Sequence, residues 1–302
     1  MKEFNWILVL LLVLVAGCSG NKSSQELDIN DMLTEESTEP SLEISEETLN
    51  EILQSVPSPI ELAAVIRSSG SDFQEDILNP EKNRDQYNST YDKALNIGVY
   101  GADLGYINMY EKSYLALNYL GAIKKLADDL QVGHFFDFAT IRRLASNSDK
   151  MDSLLYISTS NMNKMDSYLR TQKRGNLSAL ILAGSWVEGI YLATQVASHA
   201  SNAELMERIG EQKVVLDQLL FIISVYETDP YFKELSGDFD KIKSAFDEVE
   251  IVYNYQEPET MEVDGRLVIV NKSTTEVRIS PENLDVIREI VREVRGGMVA
   301  ST

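Results

Sequence analysis

Ala94-Leu95-Asn96-Ile97-Gly98-Val99-Tyr100-Gly101-Ala102-Asp103-Leu104-Gly105-Tyr106 carries apolar or small residues on nearly every side. A helix of that kind has no solvent face and belongs at the centre of a helical body. Gly98, Gly101 and Gly105 recur at i, i+3 and i+7, which lays a smooth strip along one side. Each interior glycine costs up to about 1 kcal/mol relative to alanine, so three together predict close approach by a second backbone. Ala179-Leu180-Ile181-Leu182-Ala183-Gly184-Ser185-Trp186-Val187-Glu188-Gly189-Ile190-Tyr191 has the same character. Superposing Ala94-Leu95 on Ala179-Leu180 sets Asp103 on Glu188 and Tyr106 on Tyr191. The two segments read either as halves of a duplication packed centrally or as apolar helices that align by composition.

Polar residues inside such helices are the candidate site. Asn96 and Asp103 lie seven apart on one face, and Tyr100 stands between them. Ser185, Glu188, Gln195 and His199 form a polar stripe on the other segment, beside Trp186. A groove around Asn96, Tyr100, Asp103, Ser185, Trp186, Glu188 and His199 would suit a small ligand or a partner. Carboxylates converging in a helical bundle can also hold a metal or act as general acid and base. The bland reading is that they pair with Arg or Lys, or accept hydrogen bonds from Tyr, Trp and Asn across the interface. The di-metal pattern requires Glu-x-x-His pairs, and the chain has none; its only histidines are His134 and His199. Neither a metal nor a cofactor is therefore expected. No phosphate loop, nucleophile elbow or metal-spaced Cys/His cluster occurs. Tyr87, Tyr91, Tyr100, Tyr106, Tyr110, Tyr114 and Tyr119 recur through the first long helices, as core and rim or as the lining of a groove.

Outward from this centre, Pro57-Ser58-Pro59 opens a helix that runs to Ser68, and Asp72–Leu78 reads as a short helix stopped by Asn79-Pro80. Long helices are predicted over Ser89–Met109, Glu111–Val132, Asp137–Ser146, Asp149–Lys173, Leu177–Ala200, Ala203–Tyr226 and Tyr231–Ile251, with Gly133 and Gly175 as stops. Short connections favour antiparallel neighbours. The expected fold is mainly α, a bundle or stacked antiparallel helical hairpins, with a helical domain at 57–256. Residues 257–302 should hold a small β-hairpin and a terminal helix. Met261–Val270, turning at Asp264-Gly265, and Thr275–Ile279 supply the strands. Ser280-Pro281-Glu282-Asn283 caps Leu284–Val294, and Gly296-Gly297 ends it. This tail either packs on the bundle or stands as an appendage.

The chain starts differently. Lys2 and Glu3 cancel, Trp6–Ala16 is almost unbroken in apolar residues, and Gly17-Cys18-Ser19 follows. The layout is that of a secretory signal, and the run falls short of the roughly 20 residues a spanning helix needs. Cys18 is the only cysteine, so the body has no disulfide framework and no thiol nucleophile. Between Ser19 and Val56 one lysine faces ten acids, net −9 of the chain's −21. That segment, 18–56, reads as an acidic tether poor in aromatics. The body keeps a charge of −12 without a basic stripe, which argues against nucleic acid as a partner.

Val15-Ala16-Gly17-Cys18 resembles the bacterial lipobox, in which small residues precede the cysteine that receives diacylglycerol. The resemblance implies a signal peptide at 1–17, lipidation of Cys18 with palmitate-type chains, and attachment to a membrane. Ser19 is not the aspartate of inner-membrane retention, so it implies an outer membrane, on the periplasmic face or the cell surface. Pro57-Ser58-Pro59-Ile60-Glu61, Leu78-Asn79-Pro80, Ala94–Tyr106, Asp152-Ser153-Leu154 and Gly184-Ser185-Trp186-Val187-Glu188 are similar to a family of Bacteroidetes-type lipoproteins. That likeness spans about Ser55–Tyr226 and supplies lineage without an activity. The expectation is a lipid-anchored envelope protein of binding or scaffold type, with an envelope protein or a small molecule as ligand. The alternatives are an enzyme or metal site built on Asp103 and Glu188, and a purely structural envelope protein.

Overall fold

The computed structural model describes residues 59–145, 160–161, 164–198, 202–263, 266–270 and 273–300, which fall within one compact unit. The signal, Cys18, the tether, Asp152-Ser153-Leu154, His199 and the Asp264-Gly265 turn lie outside the described residues. The fold is mainly helical, with a small antiparallel β-ribbon and a C-terminal helix. The helices are α1 (Pro59–Ser68), α2 (Thr90–Met109), α3 (Ser113–Asp129), α4 (Phe138–Ala145), α5 (Gly175–Ala197), α6 (Ala203–Ser224), α7 (Pro230–Ala245) and α8 (Pro281–Val299). Residues 164–171 are helical as well.

Starts follow the sequence signals. Ser89 Oγ accepts the Asp92 N–H, Asn202 Oδ1 that of Leu205, and Asp229 Oδ1 that of Tyr231 after Pro230. Ser280 and Asn283 close a reciprocal capping box. Ends follow less well. The chain turns left-handed at Gln131 and Lys173, two residues before the glycines expected to stop those helices. Gly133 instead makes room for Asp128, and Gly175 for the Tyr226 hydroxyl.

Two consecutive pairs run antiparallel: Lys93 at the start of α2 bridges Asp129 at the end of α3 (3.0 Å), and Lys243 of α7 bridges Asp217 of α6 (2.7 Å). The central pair does not follow that rule. α2 and α5 share the largest interface and run in the same direction. Asn176 reaches Tyr91 near their starts (3.4 Å), and Asp103 meets Glu188 further along. Their crossing is built on two glycines. A Cβ on Gly98 would overlap the Ile181 carbonyl and lie 2.6 Å from the Ser185 nitrogen; one on Gly184 would overlap the Leu95 carbonyl. Gly98 stands to Leu95 as Gly184 stands to Ile181, so the contact is locally two-fold. Its equivalences run one residue out of step with the superposition of Ala94 on Ala179. Gly101, expected on the same strip, has nothing within 4 Å of its Cβ position.

Three segments depart from expectation. Residues 71–80 form extended and turn structure in place of a helix, followed by a 3-10 turn at Glu81–Asp85. Hydroxyls from α2 and its C-terminal flank satisfy this backbone instead. Tyr110 donates to the Ser71 carbonyl (2.8 Å), Tyr100 to that of Pro80 (3.0 Å), and Tyr106 accepts from the Gln74 N–H (3.0 Å). The helix expected to reach Ile251 stops at Ala245, and Glu250–Asn254 becomes β1. β1 pairs with β4 (Thr274–Arg278), and β2 (Glu259–Val263) pairs with β3 (Arg266–Val270) inside it. Between the two ladders Ser273 Oγ bonds both the N–H and the carbonyl of Gln256 (3.1 and 3.2 Å). The ribbon's base rests on α6, where Gly210 leaves room for Val277.

α8 runs through Gly296-Gly297 to Val299. Its last carbonyls would lack partners within the helix, but Asn96 Nδ2 donates to Met298 O (3.0 Å) and Tyr87 Oη to Val299 O (3.3 Å). Leu284, Ile287, Val291 and Val294 face the bundle, where α8 packs on α5 and α7. The terminal helix is thus part of the bundle rather than an appendage.

Gly98→Ala and Gly184→Ala should each destabilise the protein by about 1–3 kcal/mol or more, because the new methyl meets backbone that cannot step aside. Gly101→Ala, facing open space, should stabilise it by up to about 1 kcal/mol. Urea unfolding of the three variants reads this contrast.

Candidate functional site

The helix crossing fixes what sits beside it. Asp103 and Glu188 lie just beyond the two glycines on parallel helices, and each has 0 % of its surface exposed. Glu188 is held by Arg295 of α8 through two parallel bonds, Nε to Oε2 and Nη2 to Oε1, both 2.8 Å. The fork geometry of a guanidinium matches a carboxylate in this way. Arg295 also lies over the Tyr191 ring, 4.5 Å from its centroid, and reaches the Ile77 carbonyl (3.4 Å). Asp103 Oδ2 accepts the Asn79 N–H (3.2 Å), and its carboxyl lies close enough to Glu188 to feel its charge. Burial, then the Glu188 charge, pushes the Asp103 carboxyl well above the usual range, against the pull of Arg295.

Asn96 and Tyr100 belong to the same buried network. Asn96 Nδ2 bonds the Asp92 and Met298 carbonyls (3.0 Å each), and its Oδ1 faces the Asn79 amide (3.4 Å). Asn79 Nδ2 in turn donates to Tyr87 Oη (2.9 Å). Tyr100 packs edge-on against Tyr119, and burial raises the proton affinity of both phenols. The remaining candidates sit elsewhere. Ser185 is buried at the glycine crossing. Trp186 points to the other side of α5, donating to Gln212 Oε1 (3.1 Å) and packing on Phe239. His199 lies outside the described residues. His134, in a 3-10 turn, packs at a tilt on Phe135 and edge-on against Tyr168.

The expected groove therefore divides. Asn96, Tyr100, Asp103 and Glu188 come together; Trp186 does not join them. What they form is a closed network rather than a cleft, with a cation occupying the face a substrate would need. Asn79, Tyr87, Tyr191 and Arg295 complete it; the sequence reading named Tyr87 among tyrosines that are core and rim or line a groove, and did not place Asn79, Tyr191 or Arg295 at the site. The signal for Arg295 was electrostatic, since two carboxylates on helices buried all round demand a cation from elsewhere. Among the described residues no group of three or more His, Cys, Asp or Glu is placed to hold a metal ion.

Arg295→Met would strand Glu188 as a buried charge and should cost about 3–5 kcal/mol in urea unfolding. Arg292→Met, one turn away with its side chain 61 % exposed, should change stability by less than about 0.5 kcal/mol.

Comparison with protein-family models, curated proteins and solved structures finds no match to this chain.

Proposed function

We propose that the chain is a lipid-anchored helical protein of the bacterial cell envelope, whose body serves as a binding or scaffold module. The observation that carries this reading is Val15-Ala16-Gly17-Cys18 at the end of a short apolar run, with Cys18 the only cysteine in the sequence. Acyl chains on one sulfur hold a protein to a bilayer because each buried methylene adds roughly 0.8 kcal/mol. Helix α5 is also long and apolar enough to cross a membrane, but 89 % of its apolar window is buried within the protein. It reads as a core helix, which leaves anchoring to Cys18. An outer-membrane position, with the body held off the lipid by the acidic tether, follows from Ser19 and from the charge of residues 18–56.

The burial of Asp103 and Glu188 argues against an enzyme built on that pair. A general acid or base must come within hydrogen-bonding reach of its substrate, and here Arg295 and Asn79 take those positions. The pair is better read as the internal fastening of a scaffold.

Cells expressing the chain and fed radiolabelled palmitate should label the wild type and not Cys18→Ala, and the variant should leave the membrane fraction. An unlabelled wild type, or equal label in both, overturns the anchored reading.

A further inference from the structure

Asp103 presents a hydrogen-bonding problem that its neighbours do not solve. Its Oδ2 accepts from Asn79, but Oδ1 is buried with no donor. Its electrostatic neighbour is Glu188, whose two oxygens are both engaged by Arg295. Two ionised carboxylates cannot bond to each other, and one guanidinium offsets only one of their charges. A proton on Asp103 Oδ1, donated to Glu188, satisfies the orphaned atom and leaves the trio with no net charge.

We propose that Asp103 and Glu188 hold one proton between them, and that this proton fastens α8, so that α8 undocks as the proton is lost on the alkaline side. The other groups facing the pair are Tyr87 from the loop before α2, Tyr100 on α2, Tyr119 on α3, Tyr191 on α5 and Arg295 on α8, with Glu75, Glu81 and Arg292 further out. Burial shifts all four phenols upward.

The direction of the effect follows from linkage. Native Asp103 keeps a proton that it releases once α8 opens and water enters. Opening therefore becomes more favourable as pH rises above the free aspartate value of about 3.9, up to the raised native value. Stability from this site is complete at low pH and declines through that window. Within it the opening constant of α8 should grow about tenfold per pH unit.

Hydrogen exchange of peptides covering α8 in the full-length chain, corrected for intrinsic exchange rate, reads this slope directly. In the wild type the opening constant should rise about tenfold per pH unit, and in Asp103→Asn it should stay flat. The amide keeps a donor toward Glu188 and an acceptor for Asn79 but does not titrate. A flat wild type, or an equal rise in both chains, overturns the proposal. Infrared spectroscopy of the wild type tests it without any variant: a protonated-carboxyl carbonyl band should be present at neutral pH and vanish as α8 opens. The absence of that band at neutral pH overturns the proposal as well.

Discussion

A carboxylate removed from water must find its counter-charge, and in this protein Glu188 finds it on a helix more than a hundred residues away in sequence. That constraint organises the core. Removing two ions from solvent costs several kcal/mol each, and only good geometry offsets it. The parallel bonds from Arg295 supply that geometry, and they require α8 to lie across α2 and α5 at one fixed height. The glycine crossing sets the other half of the problem. Only because Gly98 and Gly184 let two backbones touch do Asp103 and Glu188 stand close enough to interact.

The same centre accounts for backbone that would otherwise be orphaned. The extended segment 71–80 has no helix or sheet to bond with, so tyrosine hydroxyls and the Asp103 carboxylate take its N–H and carbonyl groups. The last carbonyls of α8 are met by Asn96 and Tyr87, which lets the helix pass through two glycines where it would be expected to fray. Asn79 ties these elements together, bonding Asp103 through its backbone and Tyr87 and Asn96 through its side chain. Loop, central helices and terminal helix thus share one polar network inside an apolar core.

Much of this was legible in the sequence, for local reasons. Ser89, Asn202, Asp229 and Ser280 announce helix starts because a short polar side chain caps where a helix begins. The apolar run around Gly98 announces burial, since a helix without a polar face has nowhere else to go. What the sequence concealed was non-local. The antiparallel rule for short loops says nothing about α2 and α5, which are separated by several helices and run parallel. Asp72–Leu78 carries helical periodicity, but the hydroxyls that hold it extended come from residues some thirty positions later. Glu250–Asn254 continues an apolar pattern, and only its pairing with β4 makes it a strand. Asp103 and Glu188 were recognisable as buried acids; Arg295 was one arginine among several on an amphipathic helix, and only its partner sets it apart. Cys18 and the lipobox resemblance lie outside the described residues and rest on residue pattern alone.

The lipid anchor remains a proposal, and what the structure itself shows is a core closed by charge, with Glu188 and Asp103 fully buried and Arg295 paired to Glu188. The central claim is that Glu188 and Arg295 are energetically one unit that docks α8. A double-mutant cycle between Glu188→Gln and Arg295→Met, read by urea unfolding, tests this most directly. The account predicts a coupling of about 2–3 kcal/mol, with the double variant more stable than either single change implies. Additive effects, with coupling within about 0.5 kcal/mol of zero, would contradict it.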